Sequence, residues 1–386
     1  MSLQKPVFAF VLGSLTVALA VIAFPGQRAA SVTPPESAAE IVTAGTHAPE
    51  HGPEPESNEP LSRLRAVQPI ALGDEPIQPI PTVREFFEDH LEIDYVGAKI
   101  ELGRRLFHDP RLSHDNTISC ASCHDLRFGG TDRASSAIGV AGQVGPINTP
   151  TVFNAALNVT QFWDGRAEDL ERQADGPPNA PGEMASNWGE INAKLLQDVE
   201  VVALLRSAFA LEGELPPDLD KRYWLEAIAD FERTLITPGA AFDAYLAGDA
   251  EAIPREAREG YQLFKDVGCI ECHNGMAAGA KSFQKLGRNN PYFTTNAHGP
   301  DLGRFNVTGL EQDRHVFKVP GLRNVALTAP YFHDAAQETL ADAVRTMARV
   351  QLGVTLVESD VERIVAFLET LTGTYEDRPL DPLSQD

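Results

Sequence analysis

Apolar residues recur at helical spacing over 96–107, 192–211, 222–236, 256–265, 340–350 and 360–372, and the pattern predicts helices there. Thr339 and Asp342 predict a capped start for the fifth of these. Ser359 and Glu362 predict a capping box for the sixth, with Gly373 as its end. Strand signals are few, and long loops rich in Gly, Pro and Asn separate the helices. Upstream the pattern changes twice. Val7 to Phe24 is an uncharged apolar run of 18 residues behind Lys5. It predicts export, through a signal peptide or membrane anchor within residues 1–30. Its length, and the interruption of any small-residue cleavage site by Pro25, Gln27 and Arg28, favour the anchor. Residues 31–81 lack periodicity and are rich in Pro, Glu, Ser and Ala, which predicts a disordered linker.

One frame occurs twice. Gly103 to Asp109 reads GRRLFHD and Gly260 to Asp266 reads GYQLFKD, and each copy leads into a C-x-x-C-H, CASCH at 120–124 and CIECH at 269–273. All four cysteines of the chain lie in these motifs. A zinc site would need two distant pairs to meet and would leave both following histidines unexplained. With 10 histidines in 386 residues, a chance His at both places is improbable. Covalent haem attachment accounts for every residue. Cys120 and Cys123, then Cys269 and Cys272, bond the vinyl groups, while His124 and His273 ligate the irons. The chain therefore reads as mostly α and loop-rich, with two cytochrome c-like domains over 82–240 and 241–386, each carrying one haem c. The formal charge is -23, of which residues 1–80 contribute only -4. That excludes nucleic acid as a natural partner and suits a basic protein.

One histidine per haem leaves each iron's sixth position to be decided. Apart from Met1, the candidate thioethers are Met184, Met276 and Met347. Met276 follows His273 too closely to reach the opposite haem face. Met347 lies on a capped helix, well placed for the second haem, although spacing alone leaves packing and ligation equally open.

The segments GRRLFHDPRLS, CASCHDLRFGGTD, NTPTVFNAALN, QFWDGRAEDLERQA and FKVPGLRNVALTAPYFHD, together with both haem motifs, resemble the bacterial di-haem cytochrome c peroxidases and the related MauG-type enzymes. The likeness spans about residues 84–372. It implies a peroxidatic first haem and a second haem that receives electrons from a small soluble cytochrome c or a cupredoxin, with hydrogen peroxide as substrate. It further implies Met347 as sixth ligand of the second haem, Trp163 between the haems and Glu183 as the distal carboxylate. Gln173, Phe162 and Pro177 would line the pocket. A Ca2+ site would use Asn148 with the carbonyls of Thr328 and Pro330, and His333 would lie near the domain interface. The family also implies a periplasmic homodimer, here with an N-terminal membrane tether.

One position departs from the family. Many of these peroxidases carry a histidine sixteen residues after the first haem's His, and it caps the peroxidatic iron until the other haem is reduced. Here Val140 stands there, in SAIGVAG, and valine cannot ligate iron. His108 and His114 precede the motif and are poor substitutes. The expectation is a first haem that is open without reductive activation. The alternative is a MauG-like oxidase that modifies a residue of a partner protein. A plain di-haem electron carrier is a third reading, disfavoured by the Glu183 and Trp163 contexts.

Overall fold

The computed structural model describes residues 75–91, 96–292 and 301–380, apart from the His90 side chain. The apolar run 7–24, most of the expected linker and residues 381–386 lie outside these. Among the described residues no helix is long and apolar enough to cross a membrane.

The main helices are α1 (Gly97–Phe107), α2 (Leu170–Ala174), α3 (Trp188–Leu195), α4 (Val199–Phe209), α5 (Arg222–Arg233), α6 (Ala241–Leu246), α7 (Arg255–Asp266), α8 (Leu340–Met347) and α9 (Glu358–Glu369). Two small antiparallel pairs accompany them. β1 (Phe283–Lys285) pairs with β2 (Val316–Lys318) in the register Phe283 to Lys318, and β3 (Thr374–Tyr375) pairs with β4 (Arg378–Pro379).

The repeated frame builds two equivalent helix crossings. α1 packs on α5, and α7 packs on α9. Gly103 sits at the first crossing and Gly260 at the second. A Cβ on either would come within 1.8 Å of a facing carbonyl oxygen, that of Ala227 or of Arg363. Glycine is needed at both because only a bare backbone permits so close an approach. The Leu-Phe that follows, Leu106–Phe107 and Leu263–Phe264, is buried behind each crossing. One core gathers Leu102, Leu106, Ile191, Leu205, Trp224 and Ile228, and another gathers Phe242, Tyr261, Phe264, Ile364, Phe367 and Leu371.

Several boundaries differ from the sequence expectations. The periodic stretch 192–211 is two helices, because Asp198 caps α4 by accepting from the Glu200 and Val201 N–H groups at 2.9 and 3.2 Å. The next ends at Arg233 rather than 236. The expected capping box at Ser359 and Glu362 does not form. α9 starts at Glu358 after Val357, which leaves Ser359 inside the helix. Gly373 is not its cap either. It lies beyond Thr370 and lets the backbone approach the Thr237 carbonyl, 2.1 Å from where a Cβ would stand. Thr339 does cap α8, accepting from the Asp342 N–H at 3.1 Å, and α8 then gives way to a wider turn over 348–352. Residues 75–81, expected as the end of the linker, are packed. Ile77 and Ile80 are buried, and the Gly275 N–H donates to the Pro76 carbonyl at 2.7 Å.

Candidate active site

Both C-x-x-C-H motifs open onto one cavity of about 460 Å³. Cys120, Cys123, His124, Cys269 and His273 line it, along with Glu183, Trp163, Gln173, Phe162, Pro177, Asn148, Thr328, Pro330 and Met347. Thus all the residues expected at the site face one space except Cys272, which lies beside it.

The first motif forms a single helical turn, Cys120–Cys123, closed when the His124 N–H donates to the Cys120 carbonyl at 2.9 Å. The second does the same, with the His273 N–H on Cys269 O at 3.0 Å. Each imidazole is oriented from behind. His124 Nδ1 meets Gly130 O at 3.2 Å, and His273 Nδ1 meets Ala278 O at 3.3 Å. A carbonyl at Nδ1 holds the proton there and leaves the Nε2 lone pair free for a metal. Burial lowers both pKa values, that of His273 to about 4, so each ring is neutral at pH 7 as ligation requires. Burial also pushes the thiols up, Cys123 to about 11 and Cys269 to about 12, and none of the four is in a disulfide. These are protonated thiols beside an apolar cavity, which suits thioether formation better than metal binding. Among the described residues no group of three His, Cys, Asp or Glu side chains could hold a metal ion.

Above the first motif, Glu183 opens onto the cavity from the loop after α2. The surrounding protein raises its carboxyl by desolvation, partly opposed by the Arg166 guanidinium. Arg166 is itself fixed 3.5 Å over the Phe162 ring and pairs with Asp164 at 3.0 Å. The Glu183 turn is clamped by the loop that carries Val140, whose N–H donates to Glu183 O at 2.8 Å. Gly139 permits this close packing, since a Cβ there would meet Gly182 O at 2.2 Å. Val140 is buried and does not reach the cavity.

Trp163 stands in the wall between the two halves. Its Nε1 donates to Asn148 O at 2.9 Å, and its own carbonyl accepts from the Lys318 N–H at 2.9 Å. Its ring meets His333 edge-on at 6.3 Å, and His333 stacks on Phe317 at 4.2 Å. His333 is therefore a buried wedge beside Trp163, with its carbonyl taken by the Asn148 N–H at 2.9 Å. Asn148 turns its amide NH2 toward Pro330 O and Phe332 O, at 2.8 and 2.9 Å. On the second side Met347, at the end of α8, faces the cavity that His273 lines.

Of the charged residues lining the cavity, Arg166, Glu232, Lys318 and Arg323 were not singled out from the sequence. Glu232 on α5 is buried, its Oε2 lacks a partner among the described residues, and burial raises its carboxyl to about 8. One acid among 55 Asp and Glu carries no sequence signal. Lys318 is equally buried, although its place in FKVPGLRN, among the quoted segments, could have drawn attention.

A family model described as di-haem cytochrome c peroxidase matches residues 97–251. The cytochrome c peroxidase Ccp of Escherichia coli K12 is 48% identical over 303 residues, covering 78% of this chain and 62% of that protein. The cytochrome c551 peroxidase of Nitrosomonas europaea is 48% identical over 318 residues, covering 82% and 90%. Among solved structures, a MauG-like protein associated with microbial copper homeostasis aligns with a TM-score of 0.64 at 26% identity, covering 78% of this chain and 93% of its own.

Proposed function

The chain belongs to the di-haem cytochrome c peroxidase family, and from that premise we propose that it reduces hydrogen peroxide to water with electrons from a small cytochrome c or cupredoxin. The observation that carries this reading is the single cavity onto which two neutral, carbonyl-oriented histidines, a desolvated glutamate and an intervening tryptophan all open. Residues 82–240 would form the peroxidatic domain and 241–386 the electron-entry domain.

The residues present fit two haems. Cys120 and Cys123, and Cys269 and Cys272, would hold them, with His124, His273 and Met347 as ligands of the irons. Orphaned polar atoms at the cavity, such as Glu232 Oε2 and Arg323 Nη1, call for an occupant with groups of its own. When bound, the haems supply an iron that binds peroxide and a path for two single-electron deliveries. The protein does the proton work. Glu183, as carboxylate, would take a proton from one peroxide oxygen and return it to the other, the proton work that cleavage of the O–O bond needs. Two further protons from solvent, with the two electrons from the donor, complete the balance, H2O2 + 2 H+ + 2 e- giving two waters. Arg166 keeps Glu183 from being wholly neutralised by its desolvation. Trp163, fixed at both its Nε1 and its carbonyl, offers a rigid aromatic link between the two sides.

The first haem would be open at rest. His124 and His273 are the only histidines lining the cavity among the described residues. His108 is exposed, with Nδ1 on Arg104 O at 2.9 Å, and His114 is exposed, paired with Glu190 at 3.0 Å. Peroxide would then bind without prior reduction of the second haem. Steady-state oxidation of a reduced small cytochrome by peroxide tests the reading. Turnover by the as-isolated ferric protein supports it, and no turnover with any small donor refutes it. Trapping of a modified partner protein instead would favour the MauG-like reading.

The calcium reading needs a change in Asn148. Asn148 with two carbonyls gives three neutral oxygens of the six to eight that Ca2+ prefers, so water must supply the rest. Asn148 must also turn its oxygen inward, since its NH2 faces Pro330 O. A calorimetric titration that shows no Ca2+ uptake by the holoprotein would remove this part. Export to the periplasm, anchoring through residues 7–24 and assembly as a homodimer complete the proposal. Fractionation of cells and sedimentation of the intact chain decide them.

A further inference from the structure

Lys318 ends β2 with only 8% of its surface exposed, and it lines the cavity beside Trp163. Its backbone N–H is used by Trp163 O, which pins the strand to that wall. Among the described residues no carboxylate lies within 4 Å of its ammonium, and no acceptor takes a hydrogen bond from it. Burial alone pulls its pKa down to about 8. An unpaired buried cation is costly, and proteins seldom keep one without a counter-charge.

The other buried cation of the cavity shows what is missing. Arg323 is just as enclosed, but its Nη2 lies 2.7 Å from Asp243 Oδ1 and 2.7 Å from Gln78 O, and its Nε donates to Met276 O at 2.9 Å. The acids that line the cavity do not serve Lys318. Glu183 is influenced by Arg166, and Glu232 by Arg233 and Glu171. The counter-charge must therefore arrive with whatever fills the space.

A c-type haem brings such a charge. Its thioether bonds fix the vinyl edge at the cysteines, so its two propionate carboxylates project from the opposite edge. We propose that Lys318 is a positioning residue that pairs, through its ammonium, with a haem propionate carboxylate at the Trp163 wall. The pair would hold the porphyrin edge in register with Trp163. It would also raise that haem's midpoint potential by offsetting the propionate's negative charge. This inference rests on the di-haem reading above, but its test does not depend on peroxide turnover.

The test uses holoprotein carrying Lys318→Met, which keeps the side chain's length and apolar stem, and Lys318→Arg, which keeps the charge. Both midpoint potentials are measured by spectroelectrochemistry, and the propionate bending modes by resonance Raman. The expected result for Lys318→Met is a fall in one haem's potential equivalent to about tenfold in the redox equilibrium, about 59 mV for one electron. The propionate band of that haem shifts too, and Lys318→Arg restores both. Unchanged potentials and an unchanged band in Lys318→Met overturn the proposal. If Lys318→Met loads fewer than two haems, loading of both by Lys318→Arg supports it, and failure of Lys318→Arg as well overturns it. A protein with two haems and the Lys318 effect but no peroxidase turnover would sink the proposed activity and leave this inference standing.

Discussion

Gly103→Ala and Gly260→Ala are the smallest changes that probe the architecture beneath the site. The new methyl carbon would lie 1.8 Å from Ala227 O or Arg363 O, about 1.6 Å short of the 3.4 Å at which ordinary contact begins. On Gly103 it would also meet Phe231 Cβ at 2.7 Å. Neither obstacle is the far end of a flexible side chain, so one helix must retreat. Overpacking of this kind costs about 1–3 kcal/mol. Here the upper end applies, because retreat of α1 also loosens Leu102, Leu106 and Phe107. Replacing a helical glycine with alanine returns about 1 kcal/mol. The net loss is about 2 kcal/mol. For a unit of this size that lowers Tm by about 4–8 °C. Thermal unfolding followed by circular dichroism and by the haem absorption bands would measure it. Gly103→Ala should first disturb the haem of His124, and Gly260→Ala that of His273. An unchanged or raised Tm in either variant would refute the close-crossing argument.

Two predictions concern the reacting groups. Glu183→Gln should lower peroxide turnover by about 10²–10⁴-fold, while the second haem still accepts electrons from the donor. In the native protein desolvation raises the Glu183 pKa, so the carboxylate is lost as pH falls through a value above the ordinary glutamate range. Turnover should therefore fall on the acid side sooner than for an exposed glutamate, and Glu183→Gln should lack that limb. A pH profile of kcat that is identical in the two proteins would remove Glu183 from the chemistry. Met347→Leu keeps the packing but removes the thioether, so the second haem should lose its low-spin signature and a lower potential should slow donor oxidation by at least about tenfold. An unaltered low-spin spectrum would show that Met347 only packs.

The legible parts of this protein were those where chemistry or periodicity repeats. The two C-x-x-C-H motifs announced their role because three residues must coincide in each, six in all, and the amphipathic helices followed from their apolar spacing. The break at Asp198 was hidden, since the apolar spacing continues across it and a single aspartate cap interrupts the helix. Ser359 and Glu362 had the right spacing for a capping box, but the chain enters α9 through Val357, one residue before Glu358. Ile77 and Ile80 sat in a proline-rich stretch whose composition masked two well-buried anchors. Glu232 and Lys318 were unreadable for a more general reason. Their significance lies in Glu232 Oε2 and the Lys318 ammonium lacking a hydrogen-bond partner among the described residues, which is visible only in three dimensions. Val140 was legible by its difference from the family, whereas its clamp on Glu183 O was not.

In the proposed function the iron held by His124 would be open and ready at rest. The most direct test is an electron paramagnetic resonance spectrum of the purified, fully ferric protein before and after one equivalent of peroxide. An open first iron gives a high-spin signal beside a low-spin one, with the high-spin signal lost when peroxide is added. Two low-spin signals that are indifferent to peroxide would contradict it, since some residue would then cap the first iron and the enzyme would require reduction before it could act.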